Sequence, residues 1–438
     1  MRTDTNKLFS FSLSEGLILI CGSLLRLVYA FSTPFDIRSY DGTEHIAYIN
    51  FVCTNWRIPQ TSEGFEAYQA PLYYCLSAAL AAVSGLCGVH SQQSLILLWR
   101  VEACALSIYL LAIAIQLGRK LFDEDQKEQR LWFSAIMAFF PCMVHHASRI
   151  TNDSLFYIFA FLWMGRILDF YQHPQFKSFL KLVLCSSIGL LCKASMIPMT
   201  VLTFFFPLIS RSLEWRKKLT WSLVGLALIF ALSGWFYVPK ALEFLGKSPE
   251  RFIIANVQSH FSVDWYQPTV QGFLIFDPVE VIMVPGCKVS TLDPRRTYFW
   301  EYYFKSAYVG EFMTSLQQTQ FSLETVIVRV LLLVSMLILP LLLWGLVRLA
   351  RGTESKISPW LVTLLFSLAG QIAYTARVGM PNVQDFRYFL FALPVYAYCI
   401  VEAAFSNSVL ATIAKPTLGL WIFMMIALII FQACSQNC

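Results

Sequence analysis

Eleven long runs of mostly apolar residues divide this 438-residue chain. A helix that crosses the roughly 30 Å hydrocarbon layer of a membrane needs about 20 such residues. The runs lie near residues 12–31, 95–117, 131–148, 154–171, 179–193, 196–210, 219–238, 324–348, 358–376, 388–405 and 415–434. With 57% hydrophobic and only 14% charged residues, the composition excludes a water-soluble globule. We therefore expect an all-α, polytopic integral membrane protein with about eleven transmembrane helices, forming a single membrane domain over residues 1–438.

The first run, Leu13 to Phe31, has no small-residue cleavage site after a short apolar core. This pattern indicates a retained membrane anchor and not a signal peptide. The 12 cysteines form no CxxC pair and therefore indicate neither a zinc site nor a disulfide framework. A bridge among Cys53, Cys75 and Cys287, which lie in predicted polar regions, stays open.

The net charge of +6 comes from basic residues in short loops between the apolar runs, and not from one basic patch. This distribution argues against nucleic acid as a partner and instead reports topology, because Lys and Arg in short loops collect on the cytoplasmic side. The apolar stretch Pro71–Val89 decides the orientation. If it does not cross, the N-terminus and the basic loops at 119–130, 211–218 and 348–356 all face the cytoplasm. We therefore expect Tyr68–Val89 to form a helix at or dipping into the outer surface, with an ordinary twelfth span as the alternative.

This orientation places the unusual polar segments on the extracytoplasmic face, in a periplasm or an ER lumen. They are the first loop (32–94) with juxtamembrane helices, the turn at 149–153, the junction at 193–198, the large loop (239–322) and the turn at 379–387. The large loop is expected to form a small cap, with residues 240–320 roofing a cavity.

Four polar side chains follow the first span at the helical spacing i, i+3, i+4 and i+7: Asp41, Glu44, His45 and Tyr48. A helix here would turn its carboxylates toward the protein and rest its apolar side, with Ile46 and Ile49, on the bilayer. An amphipathic surface helix without chemistry is the alternative. One histidine and two carboxylates in a row would make a weak site for a divalent cation, so no dedicated metal is expected.

Several short motifs lie in these outward segments. They are D-x-x-x-H-x-x-Y from Asp41, the stretch Glu66–Tyr74, Asn152-Asp153, the stretch Tyr298–Tyr303 with Gly310-Glu311-Phe312, and Asp385–Tyr388. Their order resembles the GT-C glycosyltransferases of the protein O-mannosyltransferase and aminoarabinose transferase type, over nearly the whole chain. The family often carries Asp-Glu where this chain has Asp41-Gly42, and Pro-Pro-Leu where it has Ala70-Pro71-Leu72. The acceptor therefore stays open.

The resemblance implies an enzyme that moves a sugar, mannose or another hexose, from dolichyl or undecaprenyl phosphate to a protein, lipid or glycan acceptor, with inversion in one displacement. Such chemistry needs a positioned proton acceptor and cations that neutralise the departing phosphate. We expect Asp41 to be the base, Asp153 a second carboxylate across the cavity, and Glu44 the reserve candidate. Asp153 also reads as part of a helix cap.

Lone cations at the ends of apolar spans are costly unless they have a partner, and phosphate is a natural one. Arg149, Lys193 and Arg387 are therefore expected to bind the donor phosphate. The alternatives are a snorkelling Lys193 and an ion pair between Arg387 and Asp385. The expected substrate contacts are His45, Tyr48, Tyr73, Tyr74, Trp300, Glu311 and Tyr388. Aromatic residues at such places also rest at membrane interfaces, which is the alternative for Trp300.

Two other classes of protein would also fit a chain with many spans. A lipid or solute transporter, or a flippase, predicts repeated halves, broken helices and charges at mid-membrane depth. The sequence shows no clear repeat, and its polar residues cluster outside the spans. A noncatalytic subunit of a membrane complex would tolerate neutral replacements of Asp41 and Asp153.

Overall fold

A computed structural model describes residues 11–35, 39, 41–210, 212–245, 269–286, 298–310, 323–352, 357–378 and 384–435. The α-helices in these ranges are α1 Leu13–Ser32, α2 Gly42–Asn55, α3 Leu72–Leu86, α4 Gln92–Leu121, α5 Lys127–Phe139, α6 Pro141–His145, α7 Asp153–Gln172, α8 Phe176–Cys192, α9 Ile197–Ile209, α10 Trp215–Leu245, α11 Val270–Leu274, α12 Pro278–Met283, α13 Phe299–Val309, α14 Leu323–Arg351, α15 Ser358–Val378, α16 Leu393–Ala404 and α17 Ser408–Ser435. Short 3-10 helices occupy Thr61–Glu63, His146–Ser148, Ala194–Met196 and Phe386–Ala392. The predicted all-α class is confirmed.

Within the described residues, eight helical segments are long and apolar enough to cross a membrane, and the bent pair α5–α6 makes a ninth if it is one span. Two further predicted runs are shorter helices: α8 has 17 residues, and the other covers Ala194–Ile209. Each of the eleven predicted runs is thus helical, and these long apolar helices are consistent with a multi-pass membrane protein. Eleven crossings remain a prediction.

Helix α3 covers the stretch that decides the predicted orientation. It has 15 residues, Leu72–Leu86, and at about 1.5 Å per residue its length is about 22 Å. A hydrocarbon layer of about 30 Å is longer than that. The short length agrees with a helix that does not cross, and its placement on the outer surface stays a prediction.

Helix α2 differs from the expected bilayer-lying helix. Its apolar residues Ile46 and Ile49 are 6% and 0% exposed and belong to the main hydrophobic core. The reason is that α3 packs along α2 and covers its apolar side. The expectation that this side rests on lipid is wrong, and α2 is an internal part of the protein.

The bundle is held by close helix pairs, among them α7 with α8, α4 with α7, and α14 with α16. At the last of these, a Cβ atom added to Gly345 would overlap the backbone of Cys399. Only glycine lets the two backbones approach this closely, a frequent device where helices pack inside membranes. The buried guanidinium of Arg26 in α1 donates hydrogen bonds to Ser107 and to the carbonyl oxygen of Ala138, which joins α1 to α4 and α5.

Breaks between helices place polar residues at one end of this bundle. The chain bends by 50° between α5 and α6, where Pro141 starts the second helix, and then reaches Arg149 through a 3-10 turn. Lys193 has extended backbone (φ −159°, ψ 142°) between α8 and the next 3-10 turn. The side chain of Asp385 caps the 3-10 helix that carries Arg387. Side chains at such breaks point away from the regular helical surface and can meet across the bundle.

Candidate active site

A cavity of about 620 Å³ lies where these breaks meet the first loop. Its size falls within the range of ordinary small-molecule sites, about 300–1,000 Å³. The lining residues are Asp41, His45, Tyr68, Gln69, Lys193, Ala194, Ser195, Ile197, Pro198, Tyr237, Lys240, Ala241, Ser367, Gly370, Gln371, Tyr374, Tyr388, Phe389 and Phe391. Four predicted site residues are therefore on its surface: Asp41, His45, Lys193 and Tyr388.

Asp41 is the residue directly before α2, and its carboxylate faces Arg387 and His45. Its Oδ1 atom lies 3.5 Å from Nη1 of Arg387 and 3.5 Å from Nε2 of His45. Burial alone would raise the pKa of this carboxyl, but the charges of Arg387 and His45 outweigh burial and hold the pKa well below its usual range. Asp41 is therefore ionised at neutral pH.

Asp153 is the first residue of α7 and is almost completely buried. Its carboxylate forms an ion pair with Nζ of Lys193, and its backbone N–H donates a weak bond of 3.3 Å to the hydroxyl oxygen of Thr151. The preceding Asn152 makes no side-chain cap for this helix. Asp153 and Lys193 thus form a buried pair, whose loss on one side leaves a costly uncompensated charge.

Tyr388 lies between Lys193, which lines the cavity, and Arg387, which is not a lining residue but faces the lining residue Asp41. Nζ of Lys193 is 5.3 Å and Cζ of Arg387 is 5.0 Å from the centre of its ring. The Tyr388 hydroxyl also accepts a 3.0 Å bond from Nη2 of Arg387. The aromatic face attracts both cations and keeps them close together despite their mutual repulsion.

The first loop supplies a network of hydrogen bonds behind Asp41. Nδ1 of His45 lies 2.8 Å from the hydroxyl of Tyr74, and both side chains are buried. Glu66 is 2% exposed, and its functional group lies within 4.8 Å of those of Asp41 and His45. Gln69 accepts a 3.2 Å bond from Asn152, which also donates to the carbonyl oxygen of Cys192. These bonds fix the first loop against the breaks before α7 and after α8.

Arg149 is buried but is not among the lining residues of the cavity. Its charge acts on the buried carboxyl of Asp385: burial raises the pKa of Asp385, and the charges of Arg387 and Arg149 partly oppose this. The backbone N–H of Arg387 donates a 2.8 Å bond to Asp385 Oδ1, whereas the guanidinium of Arg387 faces Asp41, so the ion pair between Arg387 and Asp385 stays a prediction. Arg149 supports the charge balance behind the cavity.

The other predicted substrate contacts lie away from the cavity surface. Tyr48 stacks on Tyr74 with ring centres 3.8 Å apart, and Tyr73 is fully buried. Trp300 packs in α13 and donates a 2.9 Å bond to the carbonyl oxygen of Phe273. Glu44 is half-buried on α2, outside the lining residues. Glu311 lies outside the described residues. Roles in catalysis or substrate binding for these residues remain predictions.

Several lining residues were missed by the sequence analysis. Lys240, near the end of α10, lines the cavity and donates a 2.9 Å bond to the carbonyl oxygen of Ala67. Ser367, Gln371 and Tyr374 recur on α15 at helical spacing within an otherwise apolar span. This polar stripe was the signal that could have identified α15 as a wall of the cavity.

A larger groove of about 950 Å³ lies between α2, α3 and the start of α4. Its lining is mostly alanine and aliphatic side chains, with no carboxylate. Cys53 and Cys75 lie in it as free thiols, and Cys287 is outside the described residues. The paired charges are in the smaller cavity, which is therefore the candidate active site.

The fold resembles known structures. An oligosaccharyltransferase from Archaeoglobus fulgidus superposes with a TM-score of 0.55 at 13% identity, over 96% of this chain and 56% of that protein. The oligosaccharyltransferase AglB from Archaeoglobus fulgidus, in complex with an inhibitory peptide and a dolichol-phosphate, gives a TM-score of 0.54 at 12% identity, over 96% and 56% of the two chains. The chain has the fold of the GT-C glycosyltransferases. It spans little more than half the length of these archaeal enzymes.

A looser likeness links the chain to ArnT from Cupriavidus metallidurans bound to undecaprenyl phosphate, with a TM-score of 0.40 at 11% identity, over 89% of this chain and 77% of that one. No protein-family model and no curated protein matches the sequence. The fold resemblance predicted from the short motifs is confirmed by the structural comparison.

Proposed function

We propose that this protein is a membrane glycosyltransferase that moves a hexose, with mannose as the first candidate, from a polyprenyl-phosphate donor to an acceptor on the extracytoplasmic side. The observation that carries the proposal is the charge arrangement of the cavity, in which Asp41 is paired with Arg387 and Asp153 with Lys193. Sugar transfer from a phosphate needs an ionised carboxylate and cations beside the same space. The fold shared with an enzyme whose structure is known in complex with a dolichol-phosphate supports the choice of donor.

Asp41 is proposed to act on the acceptor. The acceptor oxygen forms a bond to the anomeric carbon while the bond from that carbon to the phosphate oxygen breaks. The electron pair leaves with the lipid phosphate, and the hydroxyl proton passes to the Asp41 carboxylate. Because its pKa lies well below the usual range, Asp41 is in the ionised form that a proton acceptor requires. A carboxylate opposite the leaving group would favour inversion.

Lys193 and Arg387 are proposed to hold the departing phosphate. Each already has a carboxylate partner and a common aromatic neighbour, Tyr388, so both are oriented before a donor arrives. Preorganised charges stabilise a developing anion without reorganisation during the reaction. Lys240 is a second cation of the lining, beside Lys193. Asp153 would orient Lys193, and Arg149 would act from behind the cavity.

The proposed topology has the N-terminus in the cytoplasm. The first loop (32–94) and the large loop (239–322) would then both lie outside, and the large loop would roof the cavity. The charged residues described here gather at one end of the bundle, as an outward-facing enzyme requires. A protein hydroxyl, a lipid or a glycan would enter from this side. Enzyme action is favoured over transport by this placement.

The test is sugar transfer from a panel of radiolabelled polyprenyl-phosphate hexoses to total membrane acceptors by purified protein in nanodiscs. Wild type is compared with Asp41→Asn and with Glu63→Gln, an exposed carboxylate of the same loop that pairs with Arg57. We expect transfer by wild type and Glu63→Gln, and its loss in Asp41→Asn while donor binding persists. Equal transfer in all three removes Asp41 from the chemistry. No transfer from any donor, with lipid movement between leaflets instead, supports a flippase.

A further inference from the structure

A groove of about 840 Å³, here called the arginine groove, lies far from the candidate active site. It runs between the last turns of α14 and the turn from α16 to α17, which contains Ser406 and Asn407. Helix α14 ends at Arg351, and α15 begins nearby along the chain at Ser358 and leads to the cavity residue Tyr374. The arginine groove and the cavity are therefore at opposite ends of the helical bundle.

Two exposed arginines of α14 line this groove, Arg348 and Arg351. Arg348 donates a 3.3 Å bond to the carbonyl oxygen of Glu402, and in the described part of the chain Arg351 forms no hydrogen bond or ion pair. Neither guanidinium has a carboxylate partner there, and none of the described lining residues is acidic. The groove thus presents two positive charges without compensation.

Other cations at this end of the bundle are paired. Arg119 and Arg130 both form ion pairs with Glu15, and Lys415 lies 2.8 Å from the carboxylate of Glu128. Carboxylates are therefore present at this end of the bundle and neutralise cations outside the groove. An anion from outside the chain would supply the partner that the two groove arginines lack.

The rest of the groove indicates that this anion is an amphiphile. Four lining residues share one face of α14 at the spacing i, i+3, i+7 and i+10: Leu341, Trp344, Arg348 and Arg351. At about 1.5 Å per residue, this face covers about 15 Å along the helix axis. Trp344 is 47% exposed, and exposed tryptophans are typical of the boundary between hydrocarbon and headgroups. One helix face therefore passes from apolar, through aromatic, to cationic within the groove.

We propose that the arginine groove binds an anionic phospholipid, with the headgroup phosphate between the two arginines and an acyl chain along Leu341 and Trp344. Guanidinium groups bind phosphate oxygens through paired N–H donors, and basic pockets between transmembrane helices bind anionic headgroups. A zwitterionic lipid would bring a cation of its own beside two guanidinium groups. A soluble anion would leave the apolar part of the groove uncovered. The site is independent of the proposed function, because it lies at the other end of the bundle from the cavity.

The test is native mass spectrometry of detergent-solubilised protein titrated with phosphatidylglycerol, phosphatidylcholine or glycerol 3-phosphate. The groove variant is Arg348→Gln, Arg351→Gln. The control variant, Arg216→Gln, Lys217→Gln, removes the same charge from the exposed start of α10, whose other end reaches the cavity at Lys240.

Wild type and the control variant are expected to bind one phosphatidylglycerol per chain with equal affinity. The groove variant should bind it about 25-fold more weakly, because each arginine near a headgroup contributes a factor of about five. Equal affinity of wild type for phosphatidylglycerol and phosphatidylcholine overturns the proposal, as does unchanged binding of phosphatidylglycerol by the groove variant. An equal loss in both variants shows general attraction between charges and also overturns it. Glycerol 3-phosphate that binds as tightly as phosphatidylglycerol contradicts a lipid site.

Folding of the variants is followed by size-exclusion chromatography. If the groove variant does not fold, Arg351→Gln replaces it, since Arg351 makes no hydrogen bond within the described residues, and a loss of about five-fold is then expected. The wild-type thermal midpoint gives a reading without any variant. It should rise further with phosphatidylglycerol than with phosphatidylcholine, because a ligand that binds only the folded state stabilises it. Equal midpoints in the two lipids would contradict the site.

Discussion

The cavity has two walls that differ in charge and in origin. The loop wall comes from the first loop: Asp41 and His45 line the cavity, and Glu66 lies close to both, all within 26 consecutive residues. The helix-end wall comes from distant breaks between helices and carries cations: Lys193 lines the cavity, and Arg387 faces Asp41 without being a lining residue. The loop wall is suited to bind a cation or a nucleophile, and the helix-end wall to bind a phosphate. The reacting bond would lie between them.

Arg387 is the residue that connects the two walls, so its loss should have the largest effect. Arg387→Gln is expected to lower kcat/KM for the donor by about 10³-fold, because it removes a positioned charge from the leaving group and from Asp41. The measurement is steady-state transfer from the preferred donor. Arg387→Lys should recover part of the activity, since the charge returns without the planar donor geometry. An Arg387→Gln enzyme with normal kinetics would mean that the helix-end wall does not bind the phosphate.

Variants of Asp153 and Lys193 test whether this ion pair stabilises the helix-end wall. Asp153→Asn leaves Lys193 buried without its partner and should lower the free energy of unfolding by about 3 kcal/mol. The double variant Asp153→Asn, Lys193→Met should recover most of that loss. Denaturant unfolding in detergent, followed by tryptophan fluorescence, provides both values. Additive losses in the double variant would show that the two residues act separately.

Tyr74 tests the organisation of the loop wall. Tyr74→Phe removes only the hydroxyl that bonds to Nδ1 of His45, and it should lower kcat/KM for the donor by about ten-fold while leaving the fold intact, because the His45 ring beside Asp41 is then less firmly positioned. Tyr73→Phe is the matched control, since this neighbouring tyrosine is equally buried, whereas the tyrosine hydroxyl bonded to Nδ1 of His45 is that of Tyr74. Steady-state transfer kinetics should therefore separate the two variants. Equal kinetics would argue that Tyr74 only fills space.

The smallest effect is expected from α15, which contributes Tyr374 to the lining of the cavity. Tyr374→Phe removes one hydroxyl from the cavity lining and should raise KM for the lipid donor about five-fold or less, with kcat unchanged. Donor titrations at saturating acceptor measure both constants. A fall in kcat of the size expected for Arg387→Gln would place Tyr374 in the reaction itself.

The helical bundle was predictable from sequence because each apolar run must satisfy its backbone hydrogen bonds within a helix. Lys193 was also predictable as a cation at the end of such a run, and Asp41 as the acid of the motif that follows the first span. The partner of each charge was not predictable. Glu66 reaches Asp41 only through the turns between α2 and α3, and Asp153 meets Lys193 only after α7 and α8 pack together.

The same limit explains the predicted aromatic contacts. Tyr48, Tyr74 and Trp300 are aromatic residues of the kind that can bind sugars, but what they contact depends on which helix packs over them. Helix α3 covers α2, which turns Tyr74 toward His45, and Trp300 is bonded to the carbonyl oxygen of Phe273. Spacing along one helix determines which side chains share a face, whereas the neighbour that this face meets depends on the rest of the chain.

The contact between Asp41 and Arg387 joins residues 346 positions apart. During synthesis, Asp41 emerges from the ribosome early and Arg387 only when most of the chain has been made. A nascent chain therefore carries an incomplete set of charges until its last helices reach the membrane and pack against α14. The proposed sugar transfer would therefore be absent while the chain is being inserted. Truncation anywhere before the final helices would yield a membrane-embedded but inactive product.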